Sequence, residues 1–291
     1  MRAKPCQLRF YLASVLSCLS LLIGTATAND ATPPSVPVSA ELPAAADLRP
    51  EFEQWGLLPR SQGSRPTCSV FTIAGALEFA VARRQNRGER LSVEFLNWAA
   101  NQTRRGNRDG GFFSDMWRGF EAHGICTEPQ MPYQPEYDAT IKPEAEVLGA
   151  AKARLALELK LHWIKRWNVS TSLSDEEFFT IKRRLHQGWP VCSGLRWPQR
   201  EVWQNDVLQM CPPEEVFDGH SVLLVGYRDD PAQAGGGVFI FRNTNRGGRD
   251  GFMPYDYARA YMNDAVWIES TPAAEAASRL TAPADSARHG P

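Results

Sequence analysis

Residues 62–71 read Gln-Gly-Ser-Arg-Pro-Thr-Cys-Ser-Val-Phe, a polar, turn-forming stretch that gives way to an apolar run with Cys68 at the junction. A cysteine in that position can be half of a disulfide, a buried small hydrophobe, a metal ligand or a nucleophile. From Cys68 to Gln85, Phe71, Ala74, Leu77 and Ala80 or Val81 recur at the spacing of one helix face, so Cys68 opens a predicted helix. That position favours a thiolate, because a helix N-terminus presents unpaired N–H groups and a positive dipole end.

A nucleophilic thiol also needs an imidazole. Of the five histidines, His123, His162 and His186 fall in predicted helical segments and His289 in the C-terminal tail. His220 instead follows Gly219 and opens the apolar strand HSVLLVGY. Asn243 ends the next apolar strand, FIFRN, where its amide can hold the His220 ring in one orientation and tautomer. Gln62, six residues before the cysteine, can offer a side-chain donor to an oxyanion beside the Cys68 backbone N–H.

The chain of 291 residues, 43% hydrophobic and 22% charged, is large enough for one domain of two lobes. Its 32 basic and 33 acidic side chains leave a formal charge of -1, so no bulk field draws it to nucleic acid or to anionic lipid. Arg2, Lys4 and Arg9 precede an apolar run over 10–23, and Ala26-Thr27-Ala28 follows; this reads as a signal peptide over 1–28, hence a secreted or periplasmic protein with no membrane segment in its mature form. The cut removes Cys6 and Cys18 and leaves Cys68, Cys126, Cys192 and Cys211, an even count that suggests two disulfides in an oxidising compartment. Reserving Cys68 for chemistry leaves three, with Cys192 and Cys211 read as core or disulfide residues. No pair has the spacing of a zinc site, so no metal or cofactor is expected.

Residues 29–46 are Ala-, Pro-, Ser- and Thr-rich and read as a disordered leader, as do 271–291 as a tail. Between them, 91–100, 116–123, 145–167 and 175–187 carry helical periodicity, the last with an acidic first turn and a basic last one. PVCSGLR, HSVLLVGYR, GGVFIFRN and DAVWIES then read as strands. Helices followed by strands imply an α+β architecture. Asn101-Gln102-Thr103 and Asn168-Val169-Ser170 have the pattern of glycan acceptors in a eukaryotic host.

These residues together resemble the papain-like cysteine peptidases: Gln62-Gly63-Ser64 with Cys68 and Phe71, the pair Gly110-Gly111, HGICTEPQMPY over 123–133, GHSVLLVGY over 219–227, and RNTNRGGRDGFMPYDY over 242–257. His220 lies 220 − 68 = 152 residues after Cys68, close to the ~130–150 usual for this arrangement, and Asn243 follows 23 later. The resemblance implies a two-lobe fold over 47–270, with a helical lobe over about 60–140, a β-barrel-like antiparallel sheet lobe over about 141–270, and the active-site cleft between them. It makes Cys68 the nucleophile, His220 the general base and acid, Asn243 the residue orienting His220, and Gln62 the oxyanion donor. It assigns Gly110, Gly111, Phe112, Phe113, Gly194 and Gly219 to substrate binding, with Gly111 hydrogen-bonding the substrate backbone and Phe112, Phe113 and Gly194 lining a pocket for an apolar or aromatic side chain. The partner implied is an extended polypeptide, bound by a monomer.

The sequence also departs from that pattern. Ser69 stands where the family has tryptophan, and Asn243-Thr244-Asn245-Arg246 where it has Asn-Ser-Trp-Gly, which is expected to expose the Asn243–His220 contact to water. The disulfide that the family places between the loop before the nucleophile and the loop before the glycine pair is lost at both ends, with Arg65 at the first. Only ~18 residues separate Ala28 from Asp47, too few for a long helical pro-segment. The activity implied is endopeptidase; the alternatives are a catalytically impaired module that binds peptide or protein, and a thiol acyltransferase or amidase.

Overall fold

A computed structural model of the chain describes residues 42–270, residue 246 excepted. The expected signal peptide, residues 29–41 of the expected leader and the expected tail lie outside the described residues. In chain order the elements are β1 (Ala45–Asp47), α1 (Arg49–Gln54), α2 (Cys68–Gln85), α3 (Val93–Thr103), α4 (Phe113–His123), α5 (Ala145–Ala153), β2 (Lys160–Lys165) and α6 (Asp175–His186). There follow β3 (Val191–Pro198), β4 (Trp203–Gln204), β5 (Val207–Leu208), β6 (Val216–Asp229), β7 (Gly237–Asn243), β8 (Arg249–Pro254), α7 (Tyr255–Tyr261) and β9 (Met262–Glu269). Helices come first and strands later, which is the expected α+β order.

The sequence of α2 contains no proline and is apolar almost all round, so it becomes a core helix rather than a surface one. Val70, Ile73, Ala74, Leu77, Phe79 and Ala80 are fully buried. Each such large side chain contributes roughly 1.5–3 kcal/mol by leaving water. Asn86, in the left-handed conformation at φ 51°, stops the helix, and Arg83 and Arg84 complement its negative end. Helix α2 packs on β6 and β3 of the sheet on one hand and on α3 and α4 on the other, so its N-terminus lies where the helical part meets the strands.

The strands form one sheet in the order β2-β9-β3-β6-β7-β8-β5-β4, with β1 added to β6. All pairs are antiparallel except β5 with β8. Strand β7 runs antiparallel to β6, so its last residue, Asn243, returns beside the part of β6 that carries His220. Register shifts interrupt β3 against β6 at Leu195/Arg196 and β3 against β9 at Gly194/Leu195. The strand is therefore irregular where it faces His220, as bulges beside functional residues often are.

Two expectations are corrected. Residues 145–167 do not form one helix: α5 ends at Ala153, a single 3₁₀ turn covers Arg154–Leu157, and Glu158 reverses the chain at φ 52°. The alternating His-Trp-Ile residues then form β2 against β9, so His162 stacks on Trp267 across the strands, with ring centroids 4.5 Å apart. Pairing with a partner about a hundred residues away outweighs the local helical period. The second correction concerns the leader, whose last residues, Ala45 and Ala46, join Asp47 in β1. Gly226 makes room for them: a Cβ there would sit 2.4 Å from the Ala46 carbonyl oxygen.

Candidate active site

In the loop before α2, Gln62 is held through both its backbone and its side chain, mostly by residues outside the loop. Its N–H donates to the Thr244 carbonyl at 2.8 Å, and its carbonyl accepts from Tyr133 Oη at 2.9 Å. The side-chain Nε2 donates to the Arg65 carbonyl at 2.8 Å, and Oε1 accepts from Thr244 Oγ1 at 2.6 Å. One amide hydrogen is used and a second donor remains; Gln62 is buried and is not among the residues that line the cleft shared by Cys68 and His220. The same loop approaches the glycine pair so closely that a Cβ on Gly110, at φ 87°, would lie 2.1 Å from the Pro66 carbonyl oxygen. Only glycine fits there.

Cys68 is the first residue of α2, and no side chain caps that helix N-terminus. Across the cleft, Sγ donates to the Gly219 carbonyl at 3.7 Å. His220 Nε2 meets Asn243 Oδ1 at 2.9 Å, and the Asn245 backbone N–H reaches the same oxygen at 3.2 Å. An amide oxygen only accepts, so Nε2 carries the hydrogen of this bond and the Nδ1 lone pair is left to take up and release a single proton. Burial pushes the Cys68 thiol up; backbone N–H groups of Ser221 and Ser69 and the Ser221 hydroxyl oppose that by favouring the thiolate. Burial likewise pulls the His220 imidazolium down, against the bond to Asn243 and the charge of Glu201.

Cys68 and His220 share a cleft of about 260 Å³. Pro66, Ser69, Gly111, Phe112 and Phe113 line it from the helical side; Trp167, Gly194, Leu195, Gly219, Ser221, Asn263 and Asp264 line it from the sheet side. The residues expected in substrate binding are thus gathered there, with the exception of Gly110, which lies behind the wall. Its N–H donates to Asn97 Oδ1 and its carbonyl accepts from Arg104. The Gly111 N–H, expected to meet substrate, donates to Ser69 Oγ at 3.3 Å, so the residue in the tryptophan position shares its donor. Phe112 and Trp167 are half exposed and touch edge to face across the rim, 5.5 Å between centroids.

Three features of the site differ from expectation. The His220–Asn243 contact is not open to water: the residues are 7% and 2% exposed. Trp197, at the end of β3, lies against the His220 ring with centroids 4.5 Å apart and supplies the cover that Asn245 cannot. The pocket is also not wholly apolar, since buried Asp264 lines it, its carboxyl pushed up to about 7 by burial against the opposing Gly194 N–H and Lys165 charge. A Cβ on Gly194 would lie 2.0 Å from Asp264 Oδ1, so that glycine leaves space for the carboxyl. Finally, Cys68, Cys126, Cys192 and Cys211 are all free, and no disulfide joins Cys192 to Cys211. Asn101, one of the two glycan-acceptor patterns, is buried with its amide on the Arg108 carbonyl, which closes it to modification.

Among the described residues no three histidine, cysteine, aspartate or glutamate side chains converge as metal ligands, and no helix is long and apolar enough to cross a membrane. Neither a family model nor a curated protein matches the chain. Solved structures do. Xylellain, a cysteine protease from Xylella fastidiosa, is 22% identical with a TM-score of 0.62, over 80% of this chain and 88% of that one. Digestive procathepsin L 3 of Tenebrio molitor larval midgut is 18% identical with a TM-score of 0.57, over 81% and 73%. The proform of the ragweed pollen cysteine protease Amb a 11 is 17% identical with a TM-score of 0.58, over 81% and 69%. With a helix-borne cysteine facing a strand-borne histidine across two lobes, and with these neighbours, the chain has the papain-like fold.

Proposed function

We propose that the protein is a secreted or periplasmic cysteine endopeptidase that hydrolyses peptide bonds in an extended polypeptide lying between the lobes. The observation that carries this reading is the placement of Cys68, at the start of α2, in one cleft with a His220 held by Asn243 at 2.9 Å. Proton transfer from Sγ to His220 yields the thiolate, which attacks the scissile carbonyl carbon. The resulting oxyanion is received by the Gln62 amide and the Cys68 N–H. His220 then gives its proton to the leaving amine as the C–N bond breaks, and water, deprotonated by His220, releases the acyl-enzyme. The basic, apolar and small residues of the N-terminus support export. The near-neutral charge gives no bulk field for nucleic acid, and the reading takes the enzyme as a monomer.

Labelling with an epoxysuccinyl peptide tests this directly, since ring opening alkylates an activated thiolate. A mass-spectrometric adduct on Cys68 that disappears in His220→Ala is the expected result. A folded, reduced protein that takes up no label at Cys68 would instead support a cleft that binds peptide without cleaving it. Hydrolysis products from a peptide library distinguish a peptidase from an acyltransferase, whose products would carry the added amine.

A further inference from the structure

The segment from Trp197 to Val216 leaves β3 and returns as β6, and within it Trp197 lies against the His220 ring while Glu201 gathers Trp197 and Trp203. The Glu201 carboxylate accepts from Trp197 Nε1 at 3.0 Å and Asn245 Nδ2 at 3.2 Å through one oxygen, and from Trp203 Nε1 at 2.8 Å through the other. Trp197 in turn lies on the His220 ring and is 2% exposed. Asn245 donates its backbone N–H to the Asn243 oxygen that holds His220. Two indoles and an amide are therefore anchored on one carboxylate, and two of the three anchored residues touch the His220–Asn243 pair directly. Neither Glu201 nor Trp197 lines the cleft.

We propose that Glu201 and Trp197 are positioning residues for His220: Glu201 locks the Trp197 indole and Asn245 over the His220–Asn243 bond, replacing the aromatic cover missing at position 245. This rests on the peptidase reading above. A carboxylate suits the task because an indole N–H and an amide N–H can only donate, so a group that only accepts satisfies all three. Its charge also faces the imidazolium through the indole; the other titratable groups of the site are Cys68 and Asp264. Glutamine at 201 keeps the shape but turns one oxygen into a donor, opposing an indole N–H and removing the charge.

The test is the pH dependence of Cys68 alkylation by iodoacetamide, with kcat and KM on a peptide substrate, in wild type, Glu201→Gln, Trp197→Phe and Trp197→Ala. Glu201→Gln is expected to lower kcat roughly tenfold, to leave KM within about twofold, and to move the alkaline limb of alkylation to lower pH as the imidazolium loses its supporting charge. Trp197→Phe, which keeps the aromatic face, is expected to retain more activity than Trp197→Ala. Thermal unfolding separates a misfolded variant from a mispositioned histidine, and the phenylalanine variant carries the test should Trp197→Ala fail to fold. A Glu201→Gln profile superimposable on wild type, with kcat unchanged, overturns the inference. A wild type whose Cys68 alkylates like a free thiol, without a His220-dependent limb, overturns the peptidase reading itself.

Discussion

Arg65 and Asp109 form a bidentate ion pair, with Nε 3.0 Å from Oδ2 and Nη2 2.8 Å from Oδ1. The pair ties the loop before Cys68 to the loop before the glycine pair, the connection that the family resemblance assigns to a disulfide. Arg65 also bonds Glu94 and the Gln134 carbonyl and lies over the Tyr133 ring at 4.4 Å. Burial works against its charge, but the hydrogen bonds to Asp109 and Glu94 outweigh that and hold the guanidinium firmly protonated.

Removing this cation should therefore leave buried carboxylates uncompensated. Arg65→Met is expected to destabilise the fold by about 3–5 kcal/mol in urea unfolding at neutral pH. Adding Glu94→Gln should recover part of that loss, because the orphaned charge goes with it. A single-variant cost below about 1 kcal/mol, the range of exposed pairs, would show that the cluster is dispensable.

In the proposed reaction Asn243 acts on the histidine, which it meets at 2.9 Å, and not on substrate. Asn243→Ala is expected to reduce kcat by roughly ten- to a hundredfold with KM near the wild-type value, read from steady-state peptide hydrolysis. A rise in KM alone would place Asn243 in substrate binding instead.

Asp264 makes stability depend on pH in an unusual direction. Its carboxyl titrates near 7 in the fold, against 3.8 for the unperturbed group. Between those values the folded protein keeps a proton that the unfolded chain releases, so stability from this group is fully present below about 4 and is lost as pH rises through 7. Asp264→Asn should remove that slope, matching wild type near pH 4 and exceeding it by up to a few kcal/mol near pH 8. Urea midpoints at the two pH values decide it; equal differences at both would refute the assignment.

Trp167 stands at the rim of the cleft, its ring edge to face with Phe112. Trp167→Ala is expected to raise KM several-fold for peptides with bulky side chains while kcat stays within about twofold. Equal loss in kcat would instead tie the Phe112–Trp167 contact to the chemical step.

Much of the site could be read from the sequence because it depends on local position: Cys68 at a helix start, His220 after a glycine at the head of an apolar run, Asn243 at a strand end. Strand β6 itself starts four residues earlier, at Val216, because Val216 to Asp218 pair with β3, so His220 lies inside its strand and does not open it. The rest depends on tertiary placement. Trp197 and Glu201 sit in a segment without periodicity, and nothing local says that their side chains turn back on His220. Residues 160–165 carry a spacing that suits a helix, and only their pairing with β9 makes them a strand. Asp264 did leave a trace: it alternates with Val266 and Ile268 on one face of its strand, an acid among apolar neighbours.

Among the described residues all four cysteines are free, and with the Arg65–Asp109 pair this separates the chemistry of the scaffold from that of the proposed nucleophile. A thiol enzyme braced by disulfides faces opposing demands, since the reductant that keeps its sulfur usable also attacks its braces. In this chain the residues around the site are cross-linked by charge, which electron transfer does not touch. Reducing surroundings can restore an oxidised Cys68 without loosening the loops beside it, and folding of this part need not wait for an oxidant.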